Sequence, residues 1–357
     1  MADLADSTVL VTGGAGFIGT ALARALAESV GRWIVLDSLH PQVHAAQERP
    51  GELVPAAELI VGDVTDPNAW SGLLNEARPD VVVHLAAETG TAQSLSESTR
   101  HSHVNVVGTT VMLDAFTAVD HVPAHFVLTS SRAVYGEGIW RDSTGQTHQP
   151  EPRTHAQLAR GEWDFPGLTH EPSSAASTPP SPVSVYGATK LAQEHILRAW
   201  TGSHDSRVSI LRLQNVYGPG QSLSNPYTGI VSLFSQLARR GDAIPLYEDG
   251  LITRDFVLID DVVSALVAAL HQPPITPSRT VDVGTGLKTT IHDLASSIAR
   301  YYGAPDPVVT GQFRDGDVRH ASCDVSETKR QLDWAPRWSL DAGVAALQDW
   351  IGGQLDG

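Results

Sequence analysis

The chain has few of the residues that make a disulfide scaffold, a zinc-binding module or a general binder of polyanions. Of its 357 residues one is cysteine, Cys323. A single thiol can close no internal disulfide and build no multi-cysteine zinc site, and it fits a reducing compartment. Basic residues are scarce: 24 Lys plus Arg stand against 40 Asp plus Glu, a formal net charge of −16. Nucleic acid and anionic membranes need a positive field, so neither is an expected partner. An anionic ligand must be met by a few local arginines or by backbone amides. No apolar run reaches the ~18 residues a spanning helix needs. The opening MADLADSTVL has no basic stretch ahead of an apolar one, so no signal peptide is expected and the protein is placed in the cytoplasm. The fifteen histidines show no ligand spacing on a helix face, so no metal is expected.

What is present alternates. Short β-branched runs near residues 8–11, 33–36, 59–61, 80–85 and 125–130 are separated by stretches with helical spacing, including one long helix over 92–119 bent at Gly108. Continuous apolar strands between helices predict an α/β fold, a doubly wound parallel sheet covered on both faces. Residues 137–182 are rich in Pro, Ser, Thr, His and Gly with little periodicity, and read as a surface insertion or lid. Regularity returns with a helix over 184–200 and a strand over 207–213. At ~150 residues per domain the length suggests two domains. A cofactor domain over 1–214, carrying the insertion, and a smaller α/β substrate part over 215–357 are expected, with a soft boundary and some segments packing back on the first.

Thr12–Gly19 reads TGGAGFIG and joins the first strand to the first helix. Glycines there, with Gly13, Gly16 and Gly19 central, permit a tight turn and let backbone amides approach a pyrophosphate, to which the helix N-terminus adds partial positive charge. Asp37 ends the second strand 18 residues beyond Gly19. A carboxylate there accepts hydrogen bonds from a ribose diol and repels a 2′-phosphate, which points to NAD rather than NADP. Asp63, after the third strand, is a weaker candidate for the adenine side.

Tyr186 and Lys190 stand four residues apart on a helix and so share a face. A cation beside a phenol favours the phenolate and makes it a usable base, so Lys190 is expected to tune Tyr186. Ser131 lies at the carboxyl end of the strand ending Thr129-Ser130-Ser131, on the side where a parallel sheet holds ligands. It could bond a substrate oxygen and share its proton with Tyr186; equally, Ser130 and Ser131 could satisfy turn backbone.

These pieces, with HLAAET (84–89), NVVGT (105–109), SSRAVYGEG (130–138), LQNVYGPGQ (213–221), RDFV (254–257) and GTG (284–286) in that order, resemble the extended short-chain dehydrogenase/reductase family in its nucleotide-sugar epimerase/dehydratase branch. The resemblance covers nearly the whole chain. It implies a Rossmann-type fold with Tyr186 as base, Lys190 on the nicotinamide ribose and Ser131 assisting. NAD would be lined by Phe17, Ile18, Val64, Leu85, Ala86, Ala87 and Asn105 besides the residues above. Asn215, Arg254 and Arg314 match positions that hold a diphosphate. Asp317, Pro245 and Tyr247 match positions near the nucleoside, and Thr89 and Arg132 fall beside the sugar. In the dehydratases of this branch an Asp-Glu pair follows the catalytic Ser/Thr; here Arg132 and Ala133 stand there, which disfavours dehydration and decarboxylation. The runs at 87–94, 130–138 and 214–229 are most similar to the dTDP-L-rhamnose 4-epimerase group. The resemblance therefore implies an NAD-dependent 4-epimerase of a nucleotide-diphosphate sugar, a homodimer pairing the helices at 92–119 and 184–200. UDP-glucose or UDP-glucuronate as substrate, a 4-ketoreductase, and a silent NAD-sensing scaffold are the alternatives.

Overall fold

The computed structural model describes residues 4–44, 46–222 and 229–355. Part of the run at 214–229 therefore lies outside the described residues.

Seven strands form one parallel sheet: β1 (Thr8–Thr12), β2 (Arg32–Asp37), β3 (Ala57–Val61), β4 (Val81–His84), β5 (His125–Ser131), β6 (Arg207–Leu213) and β7 (Ser278–Val283). Their spatial order is β7-β6-β5-β4-β1-β2-β3. Side chains alternate across a strand, and the sequence exploits this on both faces. Val9, Val11, Val35, Val83, Val127, Leu211 and Val281 join one buried cluster with Leu22, Val262 and Leu266 from helices Phe17–Leu26 and Ile259–His271. Leu10, Ile34, Leu36, Val82, Phe126, Leu128 and Ile210 join another with Trp70, Leu73, Met112, Phe116 and Leu197. Each such fully buried side chain contributes roughly 1.5–3 kcal/mol. A third cluster, with Val231, Phe234, Leu246, Phe256, Leu294, Ile298 and Leu347, forms the core of the C-terminal part. That part also returns to the sheet, because β7 pairs with β6 over its whole length.

Register aligns the chemistry. Ser131 stands opposite Leu213, and Leu213 opposite Val283, so β5, β6 and β7 end in one row. Thr12 stands opposite both Leu36 and His84, which sets the ends of β1, β2 and β4 beside one another.

Two expectations are corrected. The helix expected over 92–119 is broken into Gln93–Ser96, Ser98–Ser102, a π-helical turn over His103–Val107 and a helix over Gly108–Ala118. The π turn holds Asn105, fully buried, whose side chain is committed to two other segments. Such turns mark places where a side chain must be re-aimed. The insertion, read as having little periodicity, has regular structure of its own. It folds as a three-stranded antiparallel sheet of Ile139–Asp142, Thr147–His148 and Leu168–Glu171, with a short helix His155–Ala159. Trp140 is buried at its centre against Phe165, His170 and His320. Its compact fold escaped the periodicity argument because its strands have two to four residues.

Candidate active site

The glycine turn is built for close approach. Gly13 has φ +67°, and a Cβ on it would lie 2.7 Å from the amide nitrogen of Ala86. Only glycine relieves both the left-handed backbone and that contact. A Cβ on Gly19 would collide with the backbone of Gly14, so the helix can start directly on the turn. Gly16 caps that helix with no side-chain hydrogen bond, which leaves the first-turn amides of Phe17 and Ile18 for a ligand. The Ala15 amide donates to Asp37 Oδ2 (3.0 Å), and the Leu39 amide to Asp37 Oδ1 (2.9 Å). The carboxylate thus sits against the turn. Leu85, Ala86 and Ala87 follow β4 at its far wall, the Ala86 amide donating to Thr12 Oγ1 (3.3 Å). Bare amides at an uncapped helix start, a cradle that a Cβ would fill and a carboxylate at the end of the next strand fit a dinucleotide such as NAD.

The remaining residues on this side are placed as follows. Val64 is buried, its methyl group in the space next to Gly108. Asp63 Oδ1 accepts from the amide and hydroxyl of Thr65 (both 2.8 Å) and shapes the loop after β3. Asn105 accepts from the Glu88 amide (2.7 Å) and donates to the Glu88 carbonyl (3.0 Å) and Thr189 Oγ1 (2.9 Å). It brackets the 85–89 loop to the helix Val185–Gly202 rather than leaving its amide free. Thr89 is exposed, with its carbonyl hydrogen-bonded to His101 Nε2 (3.1 Å).

Tyr186 enters on that helix, which Ser184 caps by accepting from the Gly187 amide. The Tyr186 amide donates to Ser94 Oγ (3.0 Å). The phenol is hydrogen-bonded to Ser131 at the end of β5. Burial pushes the phenol above its ordinary value of 10, opposed by that hydrogen bond and by the charge of Arg132. Lys190, expected to be the tuning cation, is itself pushed down to about 7 by its own burial, with Glu194 opposing. Glu194 is itself committed, accepting from Ser130 Oγ (2.5 Å) and twice from Arg212 (2.9 and 2.7 Å). Four-residue spacing brings Tyr186 and Lys190 to one helix face, and a cation from another element, Arg132, also acts on the phenol. His84, fully buried and pushed to about 3 by burial, stays neutral and joins Thr12 (2.7 Å) to Thr109 (3.0 Å) behind the site.

Arg132 opens the short helical turn after β5, and its Nε donates to Asn215 Oδ1 (2.8 Å). Burial holds its guanidinium down to about 9. Arg254 is buried and pairs with Asp317 through Nη2 (2.7 Å), and its Nη1 donates to the Thr253 carbonyl (2.8 Å). Arg314 is exposed and stacks over the Tyr247 ring at 5.0 Å. Pro245, also exposed, pairs with Val308 in a two-stranded ladder leading to Tyr247. Ser131, Arg132, Tyr186 and Asn215 are thus linked to one another, as are Arg254 with Asp317 and Arg314 with Tyr247.

Sequence reasoning missed what holds the two sides together. Arg153 of the insertion donates to Glu248 Oε2 (2.8 Å) and to the Asp317 carbonyl (2.7 Å), and Arg319 donates to the same Glu248 oxygen (2.9 Å). Partners 71 to 164 residues apart leave no local pattern.

The comparisons agree with this architecture. The family model "NAD dependent epimerase/dehydratase family" matches residues 9–160 and 164–284. A dTDP-L-rhamnose 4-epimerase of Burkholderia thailandensis is 57% identical over 348 residues, covering 98% of this chain and 96% of that one. A UDP-glucose 4-epimerase of Mycolicibacterium smegmatis is 31% identical over 94% of this chain and 96% of its own. Among solved structures, the UDP-glucose 4-epimerase of Thermotoga maritima with UDP-glucose superposes with a TM-score of 0.78 at 27% identity, covering 98% of this chain and 99% of that one. With the glycine turn, the Ser131–Tyr186 contact and these full-length matches in hand, the chain belongs to the NAD-dependent epimerase/dehydratase family.

Proposed function

We propose that this protein is an NAD-dependent nucleotide-sugar 4-epimerase whose substrate is a dTDP-6-deoxyhexose such as dTDP-L-rhamnose. The observation that carries the reading is the full-length 57% identity to a dTDP-L-rhamnose 4-epimerase, on a site that holds a serine-bonded phenol and has no acid pair after Ser131. Gly13, Gly16, Phe17, Ile18, Gly19 and Asp37 would hold NAD, with Leu85–Ala87 as the wall and Lys190 on the nicotinamide ribose. When bound, NAD supplies the acceptor, and then the donor, of the hydrogen on sugar carbon C4.

Tyr186 as phenolate takes the proton of the 4-hydroxyl, and Ser131 keeps the phenol oxygen aimed at it. Arg132 stabilises the negative charge that the phenol holds at that moment. The diphosphate is held by Arg254, Arg314 and the amide end of Asn215, whose carbonyl end Arg132 occupies. The 4-keto sugar turns about this anchor and presents its other face. Tyr186 then returns the proton to an oxygen of inverted configuration. Arginines suit the anchor because the planar fork pairs with phosphate oxygens, and a chain of net charge −16 needs a local positive field for a dianion. Asp317, now on Arg254, must share it with the incoming diphosphate.

The test is incubation of the purified protein with dTDP-L-rhamnose, UDP-glucose and UDP-glucuronate, with C4 inversion read by NMR and no nicotinamide added. Inversion of the dTDP-sugar without net redox supports the reading. Stoichiometric consumption of added NADH or NADPH would make the protein a reductase.

The same reading makes the protein a cytoplasmic homodimer joined through the segments at 92–119 and 184–200, where Leu95 and Val107 are exposed. A monomer by light scattering contradicts it. The division at 214/215 is functional rather than physical, since β7 lies in the cofactor sheet.

A further inference from the structure

Glu137 is the first residue of the insertion, directly after Gly136, which has φ +61°. It is buried, 2% exposed, although it is a carboxylate in no ion pair with a described residue. Its Oε2 accepts from the Arg319 amide (3.2 Å), while Oε1 makes no hydrogen bond to a described residue. Several charged groups act on it. Arg153 and Arg254 favour its anion and Asp317 opposes it, and Glu137 in turn acts on Arg132. Glu248 behind Arg153 and Arg319 already neutralises part of that positive charge. His170, whose ring borders Gly138, is held neutral by burial. The net result is a carboxyl pushed up to about 7, burial being the largest cause.

The position matters. Arg132 is coupled to Tyr186 on one side and bonded to Asn215 on the other, and Arg254 carries Asp317. On the function proposed above, Tyr186 meets C4 and Arg254 meets the diphosphate on C1. The Arg319 amide that Glu137 accepts from belongs to the residue whose carbonyl accepts from Arg254 Nη1 (3.4 Å), so the Glu137 carboxyl lies one peptide away from the arginine assigned to the diphosphate. A dianion arriving at Arg254 cancels the charge that favours a carboxylate, so the group binds a proton as the ligand binds. A neutral carboxyl offers one donor and one acceptor, as a hexose hydroxyl requires.

We propose that Glu137 is a specificity-determining residue of the substrate site, contributed by the insertion, which enters the complex protonated and hydrogen-bonds an oxygen of the sugar ring or its hydroxyls. The inference rests on the nucleotide-sugar reading. The insertion would thus be a wall that reads the hexose, held rigid by Arg153 and Arg319.

The experiment compares wild type, Glu137→Gln and Glu137→Leu, each as the whole enzyme, with dTDP-L-rhamnose as substrate and free dTDP as competitive inhibitor. Wild-type KM is expected to rise above pH 7, about tenfold per pH unit once the group is ionised in the free enzyme. Glu137→Gln, which keeps shape, donor and acceptor, is expected to retain the low-pH KM and hold it flat to pH 9. Glu137→Leu at pH 6.5 is expected to raise KM about tenfold or more while the dTDP inhibition constant moves less than twofold. The inference is overturned if Glu137→Gln follows the wild-type pH trend, or if Glu137→Leu weakens dTDP and dTDP-L-rhamnose by the same factor. Should Glu137→Leu fail to fold, the Glu137→Gln profile decides alone. Wild type that binds and inverts no nucleotide sugar overturns the proposed function itself, a result distinct from normal wild-type turnover with unresponsive variants.

Discussion

Arg153 and Glu248, 95 residues apart, meet in an ion pair of 2.8 Å with both side chains 1% exposed. The pair ties the insertion to the C-terminal part, and the same arginine bonds the Asp317 carbonyl next to the Arg254 contact. Removing one member of a buried pair leaves a charge without its partner, at roughly 3–5 kcal/mol. Arg319 still serves Glu248, so the lower end applies. Arg153→Ala is expected to lose about 3 kcal/mol in denaturant unfolding. It should also raise KM, because Asp317 and Arg254 lose their support. A variant as stable as wild type would show that the insertion is not held by this contact.

Tyr186→Phe removes the proton acceptor but keeps the ring. Turnover is expected to fall by about 10² to 10⁴, with thermal stability unchanged. Steady-state kinetics on the inverted sugar, paired with a melting curve, checks both. Epimerisation at the wild-type rate would end the proposed mechanism.

Arg132 is a cation acting on the Tyr186 phenol in this structure, besides the Lys190 on the same helix face. Replacing it with Gln removes the charge that favours the phenolate. The acid limb of the kcat/KM profile, set by ionisation of the phenol, is expected to move to higher pH by about one unit, while Arg132→Lys moves it less. An unmoved limb in Arg132→Gln would leave the tuning role to Lys190.

Asp282 is deeply buried, accepts from Tyr135 Oη (2.7 Å) and the Ala175 amide (2.6 Å), and is pushed up to about 7, chiefly by burial. Glu137 is raised to a similar value. An acid raised on folding binds its proton more tightly in the native state. Its stabilising contribution is whole below the unfolded pKa near 4 and is lost as pH rises through 7. Unfolding free energy is therefore expected to fall between about pH 4 and 7, by on the order of 4 kcal/mol for each such group. Asp282→Asn should flatten that slope, and an equal slope in the variant would exclude Asp282 as its source.

How legible was the site? Thr12–Gly19 could be read because a phosphate-binding turn is one contiguous segment whose demands on each residue are local. Asp37 and Ser131 followed because each ends a strand of recognisable pattern. Tyr186 and Lys190 share a face by helical spacing alone, yet spacing could not say that burial pushes the Lys190 ammonium down to about 7. Nor could it say that the charge of Arg132, next to Ser131 at the end of β5, acts on the phenol. The break in the helix expected over 92–119 was equally hidden: it follows from Asn105 reaching Glu88 and Thr189, contacts made 17 and 84 residues away.

By itself the amino-acid sequence determined the parallel sheet, the glycine turn and the pair of strand-end and helix residues that meet at the phenol. Each of these depends on periodicity or on the backbone freedom of neighbouring residues, and both are written along the chain. Only the tertiary structure decided that the insertion is tied to the C-terminal part through Arg153, that Arg254 faces Asp317 and that Glu137 is buried. Those outcomes depend on which distant charges are taken out of water together, and burial and Coulomb interactions are properties of the packed chain rather than of any one stretch of it.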